Sequence, residues 1–376
     1  MAGGAGEETL ARVRLNFFAC NRCDWLLRLM ELRGGAAAVL KLRPAEIAAE
    51  GGVPLETAER LKVQASACDP EKELLSAERS GVRVLTLGDP AYPELLGKIY
   101  DPPLVLYIRG TLGSLPAAGI VGTRKASAYG LRTAGRLAAE LAGAGVAVVS
   151  GLARGIDTAA HKAAVAAGGV TWAALGTGLG SVYPEENSSL AERIVESGGA
   201  LVAEFPMDFG PHRQNFPRRN RVISGLSLAT VVVEGDFGSG ALITARFALD
   251  QGREVLAVPG PVDSALSRGP NYLIKSGAFP AEDGSDVTAC FPGEAGVRAA
   301  KSRRAGPRSP AEALLRRLSP DALAALEAVS GETAGLSADE LTLRLSWPVQ
   351  RAAAALFELE AETAVLSRGG RYCRAV

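Results

Sequence analysis

From Val82 to about Phe291 short apolar runs recur at Leu104–Ile108, Gly119–Val121, Val146–Val149, Val170–Leu175, Leu201–Ala203, Ala229–Val233 and Val255–Val258. Most are continuous rather than alternating, the pattern of strands buried on both faces. Between them, Tyr129–Ala144, Thr158–Ala167, Ser188–Glu196 and Ala241–Gln251 read as helices. Repeated strand–helix units predict an α/β fold with a doubly wound, mostly parallel sheet. Ligands of such sheets gather outside the carboxyl ends of the strands.

The flanks read differently. Residues from about Thr9 to Ala77 predict short helices, one of which places Trp25, Leu26, Leu29 and Met30 on a single face. Gly51-Gly52 joins two others, and the acidic residues around that turn favour packing or protein contact over DNA. Gly293 to Ala311 is rich in Pro, Gly, Ser and Arg and predicts a mobile linker. Beyond it, Pro320–Val329, Ser337–Leu345 and Val349–Glu360 predict three helices, and Thr363–Cys373 a hairpin turning at Gly369-Gly370. Three helices and a hairpin make a winged-helix pattern.

Composition narrows the function. The 376 residues hold 41 Lys+Arg and 41 Asp+Glu, so nucleic-acid binding has to come from a local patch rather than the overall field. No apolar run approaches the roughly 20 residues of a membrane span, and Met1–Gly6 lacks the character of a signal peptide. Five cysteines at irregular spacing point to free thiols in a reducing cytoplasm. Cys20 and Cys23 have the spacing of half a zinc site, but no second cysteine pair follows and the histidines number two, so no metal is expected.

The densest chemistry lies between Phe209 and Gly225. Arg213, Arg218, Arg219 and Arg221 stand there with Phe209 and Phe216 and no acidic residue. Guanidinium forks beside aromatic rings on a loop suit a flexible polyanion whose rings can stack, which describes single-stranded nucleic acid. A solvated basic loop is the competing reading of such a cluster.

Glycine-rich loops follow several strands: Ile120-Val-Gly-Thr-Arg-Lys-Ala-Ser127, Ser150-Gly-Leu-Ala-Arg-Gly-Ile-Asp157, Gly176-Thr-Gly-Leu-Gly180 and Gly235-Asp-Phe-Gly-Ser-Gly240. Glycine lets a backbone approach phosphate, and the helix that follows presents free N–H groups. None matches the dinucleotide fingerprint or the P-loop, and glycine is also the ordinary strand-to-helix turn residue. Four such loops on one sheet edge, beside the arginines, favour a phosphate-binding face.

In this order and combination, these blocks resemble the DNA-processing protein A family, also called DprA or Smf. The matching segments are Val121-Gly-Thr-Arg-Lys125, Ser150–His161, Gly176-Thr-Gly-Leu179, Tyr183-Pro-Glu-Glu-Asn187, Phe216–Gly225, Gly238–Thr244 and Leu273–Ala278. The resemblance implies an extended Rossmann-like core over residues 79–292. It further implies a small helical (SAM-like) domain over 1–78, a basic linker over 293–312 and a winged helix over 313–376. The function implied is binding of single-stranded DNA without strong sequence preference, protection of incoming DNA in natural transformation, and loading of a RecA-type recombinase. A cytoplasmic homodimer formed through the core is implied, with no catalysis and no cofactor.

Carried over by residue, the contacts would be Arg124, Arg213 and Phe216 with Arg219, Asn220 and Arg221. Loop positions Gly122, Lys125, Ser127, Gly151, Gly238, Ser239 and Gly240 would join them. Glu185 and Glu186 depart from relatives that place a lysine there, and would repel phosphate.

Other readings of the same residues stay open. Arg219-Asn220-Arg221 can clamp loop carbonyls instead of phosphate, and Glu234 can pair with one of these arginines. Asp157 and His161, four apart, can be read as an acid–base pair, or as a helix cap and a packed histidine. The rival function is a nucleotide phosphoribohydrolase of the lysine-decarboxylase-like group, but Asp236–Thr244 lacks the glutamate of that group's loop. Finally, 7 Lys+Arg against 8 Asp+Glu from Ala313 to Val376 leave the winged helix without a basic recognition face, so protein contact is expected there.

Overall fold

The structure, a computed structural model, describes residues 4–18, 24–293, 318–330, 335–361, 364–368 and 370–374. The proposed linker beyond Gly293 and the Cys20/Cys23 pair lie outside the described residues. The chain divides into two units, Met1–Ser302 and Arg303–Val376.

In the first unit, nine strands form one sheet: β1 (Val82–Thr86), β2 (Val105–Gly110), β3 (Ala117–Val121), β4 (Ala147–Ser150), β5 (Thr171–Leu175), β6 (Ala200–Ala203), β7 (Ala229–Val232), β8 (Glu254–Ala257) and β9 (Phe279–Pro280). Their order is β1-β2-β6-β5-β4-β3-β7-β8-β9. All neighbours from β6 to β9 are parallel, whereas β2 pairs antiparallel with both β1 and β6. Strands β3 to β7 are buried along their whole length, which is what continuous apolar runs demand. The chain winds outward from β3 to β6 and then returns to lay β7 against the other side of β3. The β3/β7 boundary is therefore the topological switch point.

The N-terminal helices pack on this sheet. Val13, Leu15, Leu29 and Ile47 belong to the same apolar cluster as Val105, Tyr107 and Leu201. The helix Asp24–Arg33 buries Trp25, Leu26, Leu29 and Met30, the stripe read from the sequence. At Gly51 a Cβ would lie 2.9 Å from the Trp25 ring, so glycine there admits the indole. Two hydrogen bonds tie this layer to the loop after β6: Asn16 Nδ2 donates to the Glu204 carbonyl (2.9 Å), and Met207 N–H donates to Glu73 Oε1 (2.7 Å).

The second unit contains helices Pro320–Ser330, Ala338–Leu345 and Val349–Ala361. Strands β10 (Leu336–Ser337), β11 (Val365–Arg368) and β12 (Arg371–Arg374) form an antiparallel sheet in the order β10-β12-β11. Its own core is built from Leu326, Leu341, Leu356 and Leu359 among others.

Candidate nucleic-acid interface

The segment read as an arginine-bearing loop is instead a helix, Asn215–Gly225. Pro217 falls in its first turn, where a missing N–H costs no helical bond. Val222 and Ile223 anchor it in the core cluster beneath the sheet. The polar face of this helix points inward as well: Arg219 is 4% exposed, Asn220 8% and Arg221 4%.

Each of these three side chains has at least one hydrogen-bond partner. Arg219 donates to the carbonyls of Gly151 and Ala174, tying the end of β4 to the end of β5. Its Nε donates to Asn220 Oδ1 (3.3 Å), and Asn220 Nδ2 donates to the Gly240 carbonyl (3.0 Å). Arg221 donates to Glu204 and to the Asp101 carbonyl, and Arg218 meets the same Glu204 carboxylate at 3.0 Å. Thus Glu204, rather than Glu234, pairs with these arginines. Burial lowers the Arg219 pKa to about 10, which leaves it charged at neutral pH.

The Ser150–Asp157 loop is built around that guanidinium. A Cβ on Gly151 would collide with Arg219. Asp157 does not serve as the helix N-cap, a place taken by Gly155; its Oδ2 accepts from the Gly151 N–H (3.1 Å) and the Ala153 N–H (3.3 Å). Burial raises the Asp157 pKa, a shift that the charge of Arg219 opposes without cancelling. His161 does not meet Asp157 as an acid–base partner. Its Nδ1 lies 2.7 Å from Thr171 Oγ1, which itself donates to the Val148 carbonyl (2.6 Å). That hydroxyl proton is committed, so His161 carries its own proton on Nδ1.

At the switch point the chain supplies its own anion. Buried Glu234, just past β7, accepts from the Ser127 N–H (2.9 Å) and Ser127 Oγ (2.5 Å) at the start of the Ala128–Gly143 helix. This is the position where related sheets seat a nucleotide phosphate. Gly130 leaves room for the carboxylate, which a Cβ would strike. Ser127 is therefore engaged internally.

What faces solvent is a cleft of about 790 Å³ lined by Gly122, Arg124, Lys125, Arg213, Phe216 and Tyr183, with Ser239 and Gly240 on the far wall. Arg124, Lys125 and Arg213 are exposed and form no ion pair among the described residues. The Arg124 guanidinium lies over the Phe216 ring at 4.8 Å, and the Tyr183 ring is 5.8 Å from it at 44°. Phe216 keeps its place because Gly176 lies beneath it: a Cβ there would be 2.9 Å from the ring. At Gly122 a Cβ would run into Ile156, so glycine draws the loop after β3 against the helix Ile156–Ala166. Gly238, with φ at +78°, turns the loop that carries Ser239 and Gly240.

Of the residues singled out in the sequence, the fold gathers Arg124, Lys125, Arg213 and Phe216 on the open side. Gly151, Arg219, Asn220 and Arg221 lie behind them. Three participants escaped the sequence reading as site residues: Tyr183, Arg154 and Glu204. Tyr183 and Arg154 sit inside motifs already visible, but nothing in a motif says which way a side chain points. Among the described residues no group of His, Cys, Asp and Glu is arranged to hold a metal, and no helix is long and apolar enough to cross a membrane.

Comparison with known proteins agrees with this architecture. Protein Smf of Escherichia coli is 48% identical over 212 residues, which span 56% of this chain and 56% of that one. The DNA processing protein DprA of Streptococcus pneumoniae is 39% identical over 219 residues, 58% of this chain and 77% of that one. The chain thus spans little more than half of the Escherichia coli relative. The X-ray structure of the Streptococcus pneumoniae protein superposes with a TM-score of 0.64 at 33% identity, covering 74% of this chain and 96% of that one. A structure of DNA processing protein A from Helicobacter pylori, described for its single-stranded DNA binding mode, gives a TM-score of 0.50 at 27% identity over 55% of this chain and 93% of that one. The model of the family described as DNA recombination-mediator protein A matches residues 83–292, from β1 to just beyond the last strand of the sheet, β9, and the chain belongs to that family.

Proposed function

We propose that this chain binds single-stranded DNA without strong sequence preference, across the cleft at the carboxyl ends of its strands. The observation that carries the reading is the open stack of Arg124 on Phe216, flanked by the exposed cations Lys125 and Arg213. A ring face accepts any base, and guanidinium or ammonium groups hold phosphates without reading base edges. Within the proposed site the residues divide by role. Arg124, Lys125, Arg213 and Phe216 touch DNA, with backbone from Gly122, Gly238, Ser239 and Gly240. Gly151, Arg219, Asn220, Arg221 and Ser127 shape the wall on which they stand.

The wider role we propose is the one the family resemblance implies: protection of incoming DNA in transformation and delivery to a RecA-type recombinase, in the cytoplasm, without a cofactor. We take the protein to be a homodimer formed through the sheet unit. Its edge strand β9 carries Phe279, 53% exposed, and no further strand pairs with that edge among the described residues. We retain the division into 1–78, 79–292, 293–312 and 313–376, with the last part a winged helix. Binding rather than catalysis is favoured because the two buried carboxylates nearest the cleft, Asp157 and Glu234, are spent on internal hydrogen bonds. A phosphoribohydrolase needs a carboxylate free to act on its substrate.

The test is a fluorescence-anisotropy titration of labelled oligothymidylate against a blunt duplex of equal length. Tighter binding of the single strand is expected. Equal or tighter binding of the duplex would overturn the reading.

A further inference from the structure

At the rim of the cleft a second guanidinium is held closed. Arg154 and Glu186 form a two-pronged ion pair, Nε to Oε1 at 2.6 Å and a terminal nitrogen to Oε2 at 2.7 Å. Both side chains are more than half exposed. Arg154 lines the same recess as Arg124, Tyr183 and Phe216. The backbones that present the pair are fixed together: Asn187, next to Glu186, is buried and its Nδ2 donates to the Leu152 carbonyl (2.8 Å) and to Thr158 Oγ1 (2.9 Å). The pair therefore joins two pinned loops rather than two wandering side chains.

A carboxylate offers a guanidinium fork the same two-oxygen edge that a phosphate does. We propose that Arg154 is a further phosphate contact of this site, and that Glu186 holds it as an internal counter-ion until DNA displaces the carboxylate. The inference rests on the single-stranded DNA reading above. Exposed pairs of this kind are weakly held, so exchange of carboxylate for phosphate is feasible.

The exchange has a signature in salt. When Arg154 turns to a phosphate it leaves Glu186 unpaired beside the strand, so the pair brings one cation and one anion to the DNA and no net charge. The two cancel, and Arg154 adds nothing to the salt dependence of the native protein. In Glu186→Gln the cancelling partner is gone. The variant should then show a slope of log affinity against log salt steeper by about 0.7, the value for one single-strand phosphate contact. At 0.1 M salt that amounts to about fivefold tighter binding relative to the ratio at 1 M.

The experiment titrates labelled oligothymidylate with the full chain as wild type, Glu186→Gln, Arg154→Ala, the double variant and Arg213→Ala, across a series of KCl concentrations. The expected result is a tighter, steeper Glu186→Gln whose gain vanishes in the double variant. If the double variant keeps the gain over Arg154→Ala, Glu186 merely repels DNA and the proposal fails. An unchanged Glu186→Gln also overturns it, provided Arg213→Ala is weakened. If Arg213→Ala also binds like wild type, the cleft reading itself falls and this inference falls with it.

Discussion

Replacing Arg219 by alanine separates an internal strut from a DNA contact. The wild-type guanidinium is buried, spans the carbonyls of Gly151 and Ala174, and opposes the charge of buried Asp157. Its removal leaves two carbonyls without their donor and a buried carboxylate without its balancing cation. Two buried carbonyls left without a donor cost about 1–3 kcal/mol each, and with the uncompensated carboxylate the total comes to about 3–5 kcal/mol. For a folded unit of this size a melting point moves roughly 2 °C per kcal/mol, so a fall of roughly 6–10 °C is expected. Differential scanning calorimetry alongside anisotropy titrations at several salt concentrations reads both quantities. Arg219→Ala should melt early. At temperatures where it remains folded, any loss of DNA affinity should come with an unchanged salt slope. Arg213→Ala should do the opposite, keeping its melting point and losing slope. A wild-type melting point for Arg219→Ala, together with a slope reduced by about 0.7, would show a direct phosphate contact and refute the strut.

Other perturbations address the remaining parts. Arg124→Ala and Arg213→Ala should each lower the single-strand salt slope by about 0.7, whereas Phe216→Ala should cost about 1–3 kcal/mol with little change in slope; wild-type binding by both arginine variants would place the site elsewhere. His161, whose pKa burial pulls down to about 3, resists protonation in the fold but not in the unfolded chain. Its contribution is thus complete above pH 6.5 and is lost as pH falls toward 3, at up to about 1.4 kcal/mol per pH unit; urea unfolding of His161→Gln between pH 7 and 5 should show a flatter acid limb, and parallel curves would contradict this. Deleting Ala313–Val376 should leave single-strand affinity within about threefold, under 1 kcal/mol. Arg351, the one basic residue of the helix Val349–Ala361, is already paired with Asp321 and lies on Trp347, while Leu343 and Phe357 are largely exposed; an isolated fragment that binds DNA as tightly as the full chain would overturn the assignment of this unit to protein contact.

The parallel sheet was legible because burial on both faces forces unbroken apolar runs, and β2 to β8 fall on the runs read from the sequence. The two-residue strand β9 was not, because Phe279-Pro280 is too short to make a pattern. Arg, Asn and Pro dominate Asn215–Gly225 and signal a loop, whereas its helicity comes from the tertiary contacts of Val222 and Ile223. Charge was the most deceptive signal. Arg213 and Arg219 are chemically alike and six residues apart, yet one lies in water and the other behind the wall. Composition cannot tell them apart, since the difference rests on Asp157 and the carbonyls of Gly151 and Ala174, brought in from other elements. The glycines fared better: Gly122, Gly151 and Gly176 each mark a place where another side chain presses on the backbone.

The carboxylate of Glu234 at the β3/β7 boundary has a consequence for how a ligand arrives. An enclosed seat between strands takes small molecules that enter whole and leave whole. With that seat filled from within, recognition moves outward to a rail of cations and rings along the strand ends. A polymer can be laid onto such a rail from the side at any point of its length, with no need of a free end. On the single-strand reading, circular and linear strands should therefore be equivalent substrates.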